Sequence, residues 1–210
     1  MRNQNTNILK ATIKDIIVAF ICIAIIFFTI YIAWGSEISL AISLVNKISI
    51  DTSKKVLEEV KLNSVTNKLE SYPEYGTKYG TIKIDAINAD LPLYYGDTLA
   101  ILRSGVGQFS GGYFPGEGGT VVCMAHNSTK YLRELAKVTP GNKIIITTNY
   151  GEFTYEVFDT TIVPQTEMEA LKIQNEEEML VLYTCYPFNS IGHTTSRYIT
   201  YSKLVDSKYF

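Results

Sequence analysis

From Tyr79 onward the chain is cut into short β-favouring runs: Tyr79–Ile84, Leu91–Tyr95, Thr120–Ala125, Lys143–Asn149, Glu152–Val163, Met179–Thr184 and Tyr198–Leu204. Between them stand Gly111-Gly112, Pro115-Gly116, Gly118-Gly119, Pro140-Gly141 and Asn149-Tyr150-Gly151, the residue types that reverse a chain at low steric cost. About seven or eight strands in succession require an all-β domain, closed or sandwiched, because each strand has an apolar face that a neighbour must cover. Two short helices fit between the strands. One is expected over residues 128–138 behind an Asn127/Ser128 cap, the other over 167–172 behind a Thr166 cap.

The N-terminal part obeys another rule. Ile16 to Trp34 contains no charged side chain and only Thr29 is plainly polar. A helix of this length crosses a bilayer core. Arg2, Lys10 and Lys14 precede it against one acid, Asp15, which leaves residues 1–15 in the cytoplasm and sends the remainder outside. The run is longer than a signal-peptide core, and Trp34-Gly35-Ser36-Glu37 is a poor cleavage site, so an uncleaved anchor over 16–34 is expected. Residues 35–78 follow as a stalk, with Ile38, Ile42, Val45, Ile48, Val56, Val60 and Leu69 recurring among charges. Residues 79–210 form the folded domain.

Composition narrows the partners. The net charge is −2 and there is no Lys/Arg cluster, which argues against nucleic acid. Three cysteines, Cys22, Cys123 and Cys185, are too few for a disulfide framework. Cys22 falls inside the anchor, and Cys123 falls mid-strand as packing. Metal spacings such as C-x-x-C are missing. Glu176-Glu177-Glu178 is expected to be a solvated turn. No cofactor motif is present.

Cys185 remains. It closes the run Met179-Leu180-Val181-Leu182-Tyr183-Thr184 ahead of Tyr186-Pro187-Phe188, which puts a thiol at a strand's mouth. His126 leaves the run Val121-Val122-Cys123-Met124-Ala125 in the same way, and Arg197 returns at the start of the next run. Thiol, imidazole and guanidinium are the groups that acyl transfer needs: a nucleophile, an acid/base and a cation for the oxyanion. His193 has the look of an exposed loop residue.

In this order the residues resemble the sortases, cysteine transpeptidases of Gram-positive cell surfaces. Gly105-Val106-Gly107 and Pro115-Gly116-Glu117-Gly118-Gly119 lead into the histidine strand. Leu182-Tyr183-Thr184-Cys185 resembles the T-L-x-T-C strand, with Val181 replacing its first threonine. Arg197 falls where the family's arginine falls. The resemblance spans Tyr79 to Leu204 and implies an eight-stranded β-barrel with Cys185, His126 and Arg197 catalytic and with Thr184 and Ala125 touching substrate. It implies cleavage of an LPXTG-like signal between Thr and Gly, and transfer to a peptidoglycan cross-bridge amine or its lipid-linked precursor. Tyr186-Pro187-Phe188 and the short 189–196 loop look most like class D. No Asp-Pro-aromatic lid precedes the barrel and no second apolar span follows Leu204, both of which mark class C. Residues 158–174 are expected to help select substrate. Two other readings stay open: a thiol hydrolase using the same site, and a membrane-anchored β-domain that only binds peptide.

Overall fold

The computed structural model describes residues 14–26, 28, 29, 62, 63, 66, 68–188 and 194–210. Most of the expected stalk, the outer end of the expected anchor and His193 lie outside the described residues. Residues 14–26 are helical and exposed all round, with Ile17, Phe20, Ile21 and Ile25 all more than half exposed. A helix apolar on every face has no polar side to turn to water. Among the described residues no helix is long and apolar enough to cross a membrane.

The described residues of the folded unit contain ten strands. A two-residue pair, β1 (Leu62–Asn63) and β2 (Lys68–Leu69), stands apart. The other eight are β3 (Lys78–Ile84), β4 (Ala89–Tyr95), β5 (Val106–Gln108), β6 (Thr120–Met124), β7 (Lys143–Thr148), β8 (Gly151–Pro164), β9 (Met179–Tyr186) and β10 (Ser196–Tyr209). They close into a barrel in the order β10-β8-β7-β3-β4-β5-β6-β9, with β9 pairing back onto β10. Each of the seven expected runs is a strand here. The eighth, β5, is only three residues long and carries Gly107, too little for a periodic signal.

Closure follows from alternation. Successive strand residues face opposite sides. Ile82 and Ile84 on β3, Ile144 and Ile146 on β7, Phe153 and Tyr155 on β8, and Leu180 and Leu182 on β9 are all fully buried. Truncating any one of the aliphatic side chains to alanine costs about 2–5 kcal/mol. The outward face of β6, β9 and β10 is covered too. Val122, Val181, Ile199 and Tyr201 form a second apolar cluster with Ala170 and Leu171 of the 165–178 connection. This second layer makes β9 apolar on both faces, which explains why it has no polar alternation in sequence.

Four local expectations are corrected. Residues 128–138 form turns ending in a 3-10 turn, Leu135–Lys137, not an α-helix. The segment is pinned at one end by Leu132 N donating to His126 O (3.1 Å), six residues back where an α-helix bonds four back, and by Tyr131 Oη donating to Arg103 O (2.6 Å). Residues 167–172 likewise hold only the 3-10 turn Met168–Leu171, with no side-chain cap. Glu178 is not solvated. It is buried, and accepts from Gly116 N and Gly118 N (2.9 Å each) and from Tyr155 Oη (2.7 Å). Gly116 and Gly118 adopt φ of +91° and +83°, so the carboxylate closes a turn that only glycine makes cheaply. β8 runs through Pro164, so the connection to β9 begins at residue 165, not 158.

The segment before the barrel is docked on it. Leu69 is buried, its N–H donates to Glu117 Oε1 (3.2 Å), and Tyr72 Oη donates to the same oxygen (2.8 Å).

Candidate active site

Cys185 is the penultimate residue of β9, half-buried and unpaired in any disulfide. By alternation it shares the outward face with Val181 and Tyr183, beside the second apolar cluster. The antiparallel β9–β10 ladder sets Arg197 directly opposite Cys185. Paired residues of a ladder point to the same face, with Cβ atoms about 4.5–5.5 Å apart. The site is therefore built on two rigid strands.

His126 arrives from the other side. β6 runs parallel to β9, with Met124 opposite Tyr183. The contact continues past the strand's end: Ala125 N donates to Tyr183 O (3.3 Å), and Thr184 Oγ1 donates to Ala125 O (2.8 Å). Asn127 Nδ2 then donates to Cys185 O (3.1 Å) and Pro187 O (3.0 Å). His126 lies between these two ties. Its ring faces Tyr131, with centroids 6.3 Å apart, and its Nε2 is buried with no hydrogen-bond partner.

Electrostatics assign a resting state to the imidazole. Burial lowers the His126 pKa below 6.5, and the Arg103 guanidinium lowers it further. His126 is thus neutral at pH 7. Cys123 is different in kind from Cys185: it is wholly buried, and burial pushes its thiol pKa well up. It packs the core and supplies no thiolate. Burial raises the Tyr183 hydroxyl to about 12, while the Arg197 guanidinium pulls the other way and Cys185 adds to the rise. Both groups therefore act on the same phenol.

Arg197 is held by three bonds. Its Nη2 donates to Gln165 Oε1 (3.1 Å), and its Nη1 to Ser196 O (3.1 Å) and Thr194 Oγ1 (3.4 Å). A guanidinium has five N–H donors, so two carry no partner among the described residues.

Thr184 and Ala125 are buried at 1% and 4% exposure, and the threonine hydroxyl is turned inward onto the Ala125 carbonyl. In this arrangement they join the histidine strand to the cysteine strand and present no side chain to solvent. Asn127 and Gln165 escaped sequence reasoning. Asn127 adjoins His126 but has the sequence signature of a helix cap. Gln165 follows Pro164 in a loop, and no local pattern ties it to residue 197.

Comparison with known proteins agrees with this geometry. Residues 82–205 match the sortase domain family model. Sortase D of Bacillus subtilis is 38% identical over 139 residues, covering 66% of this chain and 70% of that protein. Among solved structures, a sortase D5 transpeptidase of Clostridium perfringens superposes with a TM-score of 0.58 at 25% identity, covering 64% of this chain and 83% of that one. Sortase C of C. perfringens SM101 gives 0.57 at 29% identity, with coverages of 67% and 77%.

Proposed function

The chain belongs to the sortase family of cysteine transpeptidases, and on that premise we propose that it cleaves an LPXTG-like sorting signal between Thr and Gly and passes the surface protein to a cell-wall amine. The observation that carries this reading is the pairing of Arg197 opposite Cys185, with His126 brought alongside by the parallel β6.

The neutral His126 imidazole takes the Cys185 thiol proton, and the thiolate attacks the threonine carbonyl carbon. The oxyanion that forms is held by the free donors of Arg197. The C–N bond to glycine breaks as His126 returns the proton to the leaving amine, leaving a thioester on Cys185. An acceptor amine then attacks the thioester carbonyl, its proton passes to His126, and the thiolate leaves. Burial of His126 favours this sequence, because a neutral imidazole is a base before it is an acid. Thr184 and Ala125 border the substrate cleft and hold its two walls in register.

The acceptor is a peptidoglycan cross-bridge amine or its lipid-linked precursor. The enzyme is a single-pass membrane protein anchored by residues 16–34, with a cytoplasmic N-terminus, a stalk over 35–78 and an extracellular catalytic barrel over 79–210. The exposed, apolar helical stretch at 16–26 supports the anchor.

The test is intact mass of the full chain in detergent, incubated with a panel of LPXTG-like peptides. A thioester adduct that is lost in Cys185→Ala and released faster by an added amine is the expected result. Release by water alone, unchanged by any amine, means a hydrolase. Equal peptide cleavage by Cys185→Ala sinks the catalytic assignment of the thiol, and neither adduct nor cleavage with any peptide leaves a peptide-binding domain.

A further inference from the structure

An arginine serves an oxyanion well only if its guanidinium is already oriented. The side chain otherwise loses about 2 kcal/mol of rotamer freedom when it is fixed. Arg197 has four flexible side-chain bonds and stands at the second residue of β10, where the strand has just begun. The ladder holds its backbone but not its head. Two of its three partners, Ser196 and Thr194, are close neighbours in the chain and travel with it. Among the described residues the one distant anchor is Gln165, 32 residues earlier.

Gln165 is itself fixed. Its N–H donates to Thr195 O (2.8 Å), which seats it at the entry to β10. It is also the first residue of the connection that roofs the outward face. Further along, Ala170 O accepts from Tyr201 Oη (2.8 Å), and Ala170 and Leu171 pack on Val181 and Ile199. The connection is thus pinned at both places, and Gln165 has little freedom to swing away.

From these contacts we propose that Gln165 is a positioning residue, which orients the Arg197 guanidinium and ties the 165–178 connection to the oxyanion-binding cation. The inference rests on the role given to Arg197 above. A neutral amide suits the task. Its carbonyl accepts one N–H without cancelling the positive charge. A carboxylate at the same place pairs with the guanidinium and draws its charge away from the reacting carbonyl.

The experiment is steady-state peptide cleavage by the full chain in detergent, for Gln165→Ala, Gln165→Glu, Arg197→Ala and the double variant Gln165→Ala/Arg197→Ala. Gln165→Ala is expected to lower kcat about 3–10-fold and Gln165→Glu about 10–100-fold, each with KM changed less than about twofold. In the Arg197→Ala background, Gln165→Ala is expected to cost nothing further, since its effect passes through the missing guanidinium. A Gln165→Glu enzyme as fast as the natural one overturns the proposal. So does an equal loss from Gln165→Ala with and without Arg197, which marks an independent effect. Full activity in Arg197→Ala alone overturns the role of the arginine itself, a different result from either of these.

Discussion

The Thr184 hydroxyl donates to the Ala125 carbonyl at 2.8 Å across the parallel β6–β9 junction. One residue beyond each partner stands a group of the candidate site: Cys185 after Thr184, His126 after Ala125. The bond lies on the inward, buried face, so its energy is not spent on solvent, and the alternation of the strands delivers the next residues to the outward face. Replacing Thr184 with valine keeps the shape and deletes the donor. The Ala125 carbonyl is then buried without its side-chain partner, at a cost of about 1–3 kcal/mol. Urea unfolding of Thr184→Val should show this loss, and Thr184→Ser should restore most of it. Equal stabilities for threonine and valine would mean that the junction is held by packing alone.

Arg197→Ala is expected to slow peptide cleavage by about 10²–10³-fold, the usual loss for an oxyanion donor. Arg197→Lys should recover only part of it. An ammonium cannot hold Gln165, Ser196 and Thr194 in one plane while still facing the carbonyl. Full recovery by lysine would reduce the residue to a point charge.

His126 gives a pH signature in stability. Its folded pKa is depressed, by burial first and by Arg103 second. The unfolded chain therefore takes the proton more readily than the folded one. The contribution is fully present above the unfolded value of 6.5 and is lost as pH falls through the lower folded value. Melting of the natural chain and of His126→Asn between pH 7.5 and pH 5 should show a steeper decline for the natural chain. Parallel curves would contradict the buried, neutral imidazole.

Glu178→Gln tests the far end of the barrel. Burial raises the Glu178 carboxyl pKa, opposed by the N–H groups of Gly116 and Gly118 and by the Tyr155 hydroxyl. An amide removes the charge but turns an N–H toward one of two glycine N–H donors. The loss of that acceptor should outweigh the relief, at about 1–3 kcal/mol, visible in urea unfolding at pH 7. In the natural chain, a raised carboxyl contributes most below its unfolded pKa and loses that contribution as pH rises through the folded value. A glutamine variant as stable as the natural chain would mean that the turn needs no anion.

What the sequence determined by itself is local. Alternation and turn residues marked seven of the eight barrel strands, because period and punctuation are properties of adjacent residues. The end of an apolar run marked Cys185, and a strand exit marked His126, for the same reason. The uncharged run at 16–34 is equally local, since bilayer compatibility depends on a continuous stretch. Tertiary structure decided what faces what. The parallel pairing of β6 with β9 and the register that sets Arg197 opposite Cys185 join residues far apart in the chain, and no window of sequence contains both partners. The same is true of Asn127 on the Cys185 carbonyl, of Gln165 on Arg197, and of Glu178, whose place in an acidic triplet suggested solvent until the 116–118 turn folded over it. Burial and hydrogen-bond partners are set by the whole chain, and so were legible only once the barrel had closed.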